Sequence, residues 1–160
     1  KDGWKPSTYS NHEGNIGIEK SRERVIMDEI YIEQYTAFYN DLFKASGIVL
    51  NAYKKRHPYM KYMSSLRCTN FRVNKYEEGG FMSEHADAIH HSHGQQYGFP
   101  EVSLLFFLNE GYQGGEFIVA DTMYKPKKNS AIIFPANFMF PHYVNKVTKG
   151  IRYSIITWLM

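Results

Sequence analysis

The sequence predicts an α+β fold that is mainly β: a sandwich of jelly-roll type, with N-terminal helices packed on one sheet. Helical periodicity is confined to the first third of the chain, and from Leu66 onward short β-type runs alternate with turn residues. Aromatic residues make up 16% of the 160, and side chains of that size favour a packed β-rich interior. The length is that of one domain, so residues 1–160 are expected to form a single unit, with 1–65 as helical support and 66–160 as the jelly-roll core.

Residues 1–20 are rich in Ser, Asn, Gly and Lys and read as an irregular or edge segment. From about Ser21 to about Lys55 the spacing predicts helix: Ile30, Tyr31, Gln34, Tyr35, Phe38, Leu42 and Phe43 fall largely at three- and four-residue steps. Tyr31, Tyr35 and Phe38 are therefore expected in the core. Ser46-Gly47 is expected to break or cap this helix, with a second running from Ile48 towards Arg56. His57-Pro58 stops it, because the residue before proline is pushed out of the helical region. The expected strands are Leu66 to Tyr76, Val102 to Leu108, Gly115 to Ala120, Ser130 to Phe134, His142 to Val147 and Arg152 to Leu159. Glu78-Gly79-Gly80, Asn109 to Gly114, Lys125 to Asn129 and Thr148-Lys149-Gly150 supply the turns between them.

Charged residues are 22% of the chain and mixed in sign, which argues against disorder. A net charge of +3 without a concentrated basic patch gives little support to a nucleic-acid partner. Cys68 is alone, so no internal disulfide forms, and a reducing, cytoplasmic compartment is expected. The apolar runs are too short to cross a bilayer, and the first residues lack a signal-peptide core.

The sharpest chemical feature is His85-Ala86-Asp87. In an extended segment, residues two apart point to one face, so both side chains can approach one metal ion. A distant strand supplies His142. Two imidazoles and one carboxylate make a facial triad that leaves positions on iron open. Arg152 follows ten residues after His142, on a strand whose Arg152, Ser154, Ile156 and Trp158 share a face. An arginine on an inward row is costly without an anionic partner, and its planar fork suits a carboxylate.

Together these residues resemble the catalytic domain of prolyl 4-hydroxylase-like Fe(II)/2-oxoglutarate-dependent dioxygenases over residues 66–160. The resemblance runs through Tyr76 to Asp87, Leu104 to Asn109, Gly114-Gly115-Glu116-Phe117, Pro126 to Phe134, His142, and Val147 to Tyr153. It implies a double-stranded β-helix with His85, Asp87 and His142 on iron, and Arg152 on the far carboxylate of 2-oxoglutarate. Tyr76 donates its hydroxyl to that carboxylate, and Trp158 lies beside the same pocket. The implied chemistry couples oxidative decarboxylation of 2-oxoglutarate by O2, giving succinate, to hydroxylation of a prolyl residue in a protein or peptide, with ascorbate as reductant. Three departures stand out. The collagen-type enzymes usually carry lysine where this chain has Arg152, and Phe117 replaces a threonine. No arginine lies between Asp87 and Val102, where prolyl hydroxylases often keep one near the peptide. Other readings are a 2-oxoglutarate oxygenase acting on a free amino acid or nucleic acid, and a non-catalytic jelly-roll binding module. An AlkB-type nucleic-acid demethylase would carry a second arginine where Trp158 stands.

Four features have blander readings. His90, His91 and His93 read as a solvated loop beside the site, or as part of its cover. Cys68 reads as a small buried hydrophobe, and Lys125, Lys127 and Lys128 as a solvated turn. Glu116 is either near the substrate or an exposed strand-end carboxylate.

Overall fold

The computed structural model describes residues 3–11, 14–15, 17–63, 67–88 and 99–160. The N-terminal part carries short strands β1 (Lys5–Pro6), β2 (Ser10–Asn11) and β3 (Gly14–Asn15), a one-turn helix α1 (Ile18–Ser21), and strands β4 (Val25–Ile26) and β5 (Asp28–Tyr31). A long helix α2 (Ala37–Arg56) and a 3-10 turn (Pro58–Tyr62) follow. The remainder is β6 (Arg72–Tyr76), β7 (Phe81–His85), β8 (Val102–Phe107), β9 (Gln113–Gly114), β10 (Phe117–Val119), β11 (Thr122–Tyr124), β12 (Ser130–Pro135), β13 (His142–Val144), β14 (Val147–Lys149) and β15 (Arg152–Leu159).

Two antiparallel sheets face each other. The larger has the order β1-β5-β6-β15-β8-β12 and the smaller β11-β10-β13-β7-β4. Their facing sides bury Tyr76, Leu105, Phe107, Ile156 and Trp158 from the first against Val25, Phe117, Val119 and Val144 from the second. The central strand β15 is buried on both faces: Ile156 and Trp158 point into the sandwich, while Ile155 and Leu159 point outward to the helical layer. The expected mainly β sandwich with a helix on one sheet is what forms.

The helical layer differs from the expectation at its start. Residues 25–31 are strands that extend both sheets, and α2 begins only at Ala37, where the Thr36 hydroxyl accepts a hydrogen bond from the Tyr39 N–H. Tyr39, Leu42, Ser46, Leu50 and Tyr53 form the stripe that meets the sheet, so of the positions the spacing picked out Leu42 is in it, while Phe38 and Phe43 are exposed. Tyr31, Tyr35 and Phe38 are instead 54%, 87% and 51% exposed. Ser46-Gly47 does not break the helix, because the Ser46 hydroxyl donates to the Leu42 carbonyl within it. His57-Pro58 does end it.

Candidate functional site

β7 and β13 lie side by side in the smaller sheet, with His85 paired to His142. Met82 and His85 are three residues apart, yet they pair with Val144 and His142, which are only two apart. The extra residue is a β-bulge, which re-aims the strand so that His85 points to the same side as His142. Their rings lie 4.3 Å apart between centroids. Asp87, two residues beyond β7, completes the group. One ligand atom from each of His85, Asp87 and His142 lies within 4.8 Å of the others.

Hydrogen bonds fix which ring nitrogen is free. His85 Nδ1 lies 2.9 Å from the Ser83 carbonyl and His142 Nδ1 3.1 Å from the Phe140 carbonyl, so both Nδ1 atoms carry the donated proton. That leaves the Nε2 lone pairs facing the Asp87 oxygens, at 3.4 Å from His85 and 3.3 Å from His142. Three lone-pair-bearing groups thus converge in a buried space, an arrangement that is repulsive until a proton or cation sits among them. Burial alone would raise the Asp87 pKa, but His142 and His85 pull its carboxyl well below the usual range. Burial likewise works to lower the pKa of His142, and Asp87 more than reverses it. Phe134 and Phe117 wall the His142 ring at 5.0 and 5.8 Å. Two neutral imidazoles and a charged carboxylate are the donor set that suits ferrous iron with positions left open.

Ser103, fully buried on β8, donates its hydroxyl to Asp87 Oδ2 at 2.6 Å. It went unmarked in the sequence reading, although a lone hydroxyl in the run Val102 to Phe107 signals a buried polar atom that needs a partner. Replacing Ser103 by alanine should weaken metal affinity by roughly 10- to 100-fold with little change in melting temperature. Titration of the apoprotein with Co(II) or Mn(II) checks this.

At the far end of β15, Arg152 is 1% exposed and pairs across the ladder with Tyr76. Nη1 donates to Ser154 Oγ at 3.1 Å, while Nε and Nη2 are buried without a partner among the described residues. Its guanidinium carbon sits 5.0 Å from the Tyr76 ring and 5.4 Å from the Phe107 ring. A buried cation with donors left over and only aromatic faces and a hydroxyl beside it fits an anionic ligand. The Tyr76 phenol is pushed up by burial, against the pull of Arg152 and Arg72.

The glycine pair explains how backbone comes so close to Arg152. A Cβ on Gly115 would lie 3.0 Å from Arg152 Cδ, and one on Gly114 would lie 2.2 Å from the Lys146 carbonyl oxygen. Gly114 also holds φ +71°, which L side chains rarely adopt. Gly114→Ala should therefore cost about 3 kcal/mol or more in strain and displaced backbone, lowering the melting temperature by roughly 6–12 °C in a thermal scan.

Trp158 shares the inward row of β15 with Arg152. It lies about 20 Å along β15 from Arg152, six residues at roughly 3.3 Å each. There it pairs with Ser103, at the Asp87 end, with Arg72 over its ring at 5.2 Å. Glu116 is half-buried and accepts from Asn145 Nδ2 at 3.1 Å. Cys68 is half-buried, and burial raises its thiol pKa. Lys125, Lys127 and Lys128 are exposed. His90, His91 and His93 lie outside the described residues. No helix among the described residues is long and apolar enough to cross a membrane.

A mainly β sandwich with two imidazoles, a carboxylate and a buried arginine with donors left over inside it defines a candidate metal site with an anion anchor. The profile of the 2OG-Fe(II) oxygenase superfamily matches residues 71–160, more than half of the chain, and the chain belongs to that superfamily. A PKHD-type hydroxylase of Thermosynechococcus vestitus is 29% identical over 121 residues, covering 72% of this chain and 53% of its own length. The chain thus spans about half the length of the curated relatives it matches. Among solved structures, the viral collagen prolyl hydroxylase of Paramecium Bursaria Chlorella virus-1, in its 2OG complex, superposes with a TM-score of 0.68. It is 17% identical and covers 85% of this chain and 79% of that one. A Pseudomonas putida prolyl-4-hydroxylase gives a TM-score of 0.64 at 20% identity, covering 86% and 73%. These likenesses show the fold that prolyl hydroxylases share, a double-stranded β-helix.

Proposed function

We propose that this chain is an Fe(II)- and 2-oxoglutarate-dependent hydroxylase acting on prolyl residues of a protein or peptide. The observation that carries the reading is the pairing, inside one sandwich, of three converging lone-pair donors with a buried arginine whose Nε and Nη2 have no partner among the described residues. When bound, iron and 2-oxoglutarate supply the oxidative decarboxylation by O2 that yields succinate and drives hydroxylation. His85, Asp87 and His142 hold the metal on one side. Ser103 fixes the carboxylate. Arg152, with the Tyr76 hydroxyl, receives the far carboxylate of the co-substrate, and Phe117 and Phe134 keep water from the imidazoles. Ascorbate serves as reductant for stray ferric iron, and the reducing cytoplasm that a lone cysteine favours keeps the metal ferrous. Residues 1–160 act as one catalytic unit. The prolyl assignment rests on the names of the relatives and structural neighbours.

The test is succinate formation from 2-oxoglutarate under air with ferrous iron and ascorbate, with and without proline-containing peptides. Peptide-stimulated turnover with a mass gain of one oxygen on proline supports the reading. Turnover without peptide stimulation keeps the chemistry and removes the prolyl assignment. An iron-loaded sample that forms no succinate sinks both.

A further inference from the structure

The inward face of the larger sheet carries a polar row that neither the metal ligands nor Arg152 accounts for. Cross-strand pairing places it: Ser103 opposite Trp158, Ile156 opposite Arg72, and Arg72 opposite Tyr31. From the oxygen of Asp87 that Ser103 holds, the row runs sideways over three further strands, about 14 Å at the usual interstrand spacing, to β5, which only the two-residue β1 flanks. Arg72 lies over the Trp158 ring at 5.2 Å. Its Nη1 is 3.2 Å from Glu29, and its Nε donates to Asn74 Oδ1 at 3.0 Å. Asn74 is buried, whereas the Arg72 and Glu29 side chains keep 15% and 20% exposure. Tyr31, beside Arg72, presents an open aromatic face.

A guanidinium held over an indole, braced on one side by a carboxylate and an amide, is pre-set to donate to an oxygen arriving from the open side. We propose that Tyr31, Arg72 and Trp158 form the lane that seats the substrate beside the metal. Arg72 donates to a backbone carbonyl there, so the substrate is an uncharged stretch of peptide rather than a free amino acid.

The sign of the charge makes the choice. Glu29 cancels Arg72 within the lane. Farther in, the charges of a ferrous ion and Arg152 are balanced by Asp87 and a dianionic co-substrate. A substrate bringing its own carboxylate would enter a low-dielectric space with no cation among the described residues there left to pair with it, whereas a peptide carbonyl needs only the donated hydrogen bond. This inference rests on the oxygenase reading and deepens it by naming the substrate class.

The experiment uses protein loaded with Mn(II) and 2-oxoglutarate, which binds without turning over. The chain has two tryptophans, so Trp4→Phe leaves Trp158 as the fluorophore. Two probes differ only in charge: N-acetyl-proline N-methylamide and N-acetyl-proline as the free acid. The neutral probe should bind at least tenfold tighter. Arg72→Leu should remove that advantage while leaving 2-oxoglutarate affinity within twofold. Glu29→Gln, which leaves Arg72 unbalanced, should shift preference towards the acid at least threefold. Arg72→Leu leaves Glu29 and Asn74 unpaired, so Arg72→Leu/Glu29→Leu serves as the folded control and should behave like the single variant. Equal binding of the two probes, binding of neither, or an Arg72→Leu variant that binds the amide within twofold of wild type overturns the inference. Failure of 2-oxoglutarate itself to bind with Mn(II) would instead remove the reading beneath it.

Discussion

Asp87→Ala should abolish succinate formation, by at least about 10³-fold, or roughly 4 kcal/mol of lost transition-state stabilisation. The carboxylate is the one member of the His85–Asp87–His142 group that brings negative charge to a cation, while both imidazoles direct Nδ1 protons to backbone carbonyls and keep Nε2 as the ligand atom. Without it, two neutral nitrogens remain to face a dication in a space walled by Phe117 and Phe134. Metal affinity and turnover should fall together. The β-ladders do not depend on this side chain, so the melting temperature of the metal-free protein should move by only a few degrees. Iron content by elemental analysis, read beside single-turnover succinate yield, checks the result. A variant that keeps its iron and stays within tenfold of wild type would show that the metal sits elsewhere.

Arg152→Met should have two effects of opposite benefit. The Michaelis constant for 2-oxoglutarate should rise about 10- to 100-fold, because a charge-assisted hydrogen bond in a dry site is worth about 1.5–3 kcal/mol. The co-substrate-free protein should at the same time become more stable. Arg152 is buried with two nitrogens unpaired among the described residues, and replacing such a cation by an apolar group of similar volume is commonly stabilising by about 1–4 kcal/mol. In wild type, 2-oxoglutarate at 100 times its dissociation constant should add about 2.7 kcal/mol, and in the variant that gain should fall to about 0.4–1.4 kcal/mol at the same concentration. Thermal melts with and without 2-oxoglutarate give both numbers. An unchanged Michaelis constant, or a less stable apoprotein, would mean that Arg152 has a protein partner in solution and serves only the fold.

Much of this site could be read directly from residue order. His85 and Asp87 stand two apart, and Arg152 lies on a row with Ser154, Ile156 and Trp158; the structure puts that whole row inside the sandwich. Spacing shows which residues share a face, but not which face finds a partner. Tyr31 and Phe38 match a helical stripe, yet four residues from Asp28 to Tyr31 gain more by pairing with β6 than by starting a helix, and that pairing lies far away in sequence. The true stripe of α2 was obscured by Ser46, whose hydroxyl is satisfied within the helix and therefore packs like a small apolar group. Ser103 and Arg72 escaped notice for a related reason. Each earns its role from a partner on another strand, Asp87 for one and Glu29 and Trp158 for the other. The bulge that aims His85 is likewise invisible until β13 is set beside β7.

β8 and β15 lie next to each other in the middle of the larger sheet, paired from Ser154–Phe107 to Leu159–Val102. One end of that ladder holds Asp87 through Ser103, and the other holds the Arg152 guanidinium beside Phe107 and Ser154. The ladder therefore works as a gauge, with Ser103 and Phe107 about 13 Å apart along the backbone. A diacid that must reach both ends is measured by hydrogen-bonded strands rather than by loops. Oxaloacetate, one methylene short, and 2-oxoadipate, one too long, meet the same rigid frame. Discrimination of chain length should thus persist in variants whose loops are altered, and fail only when the central strands themselves slip or melt.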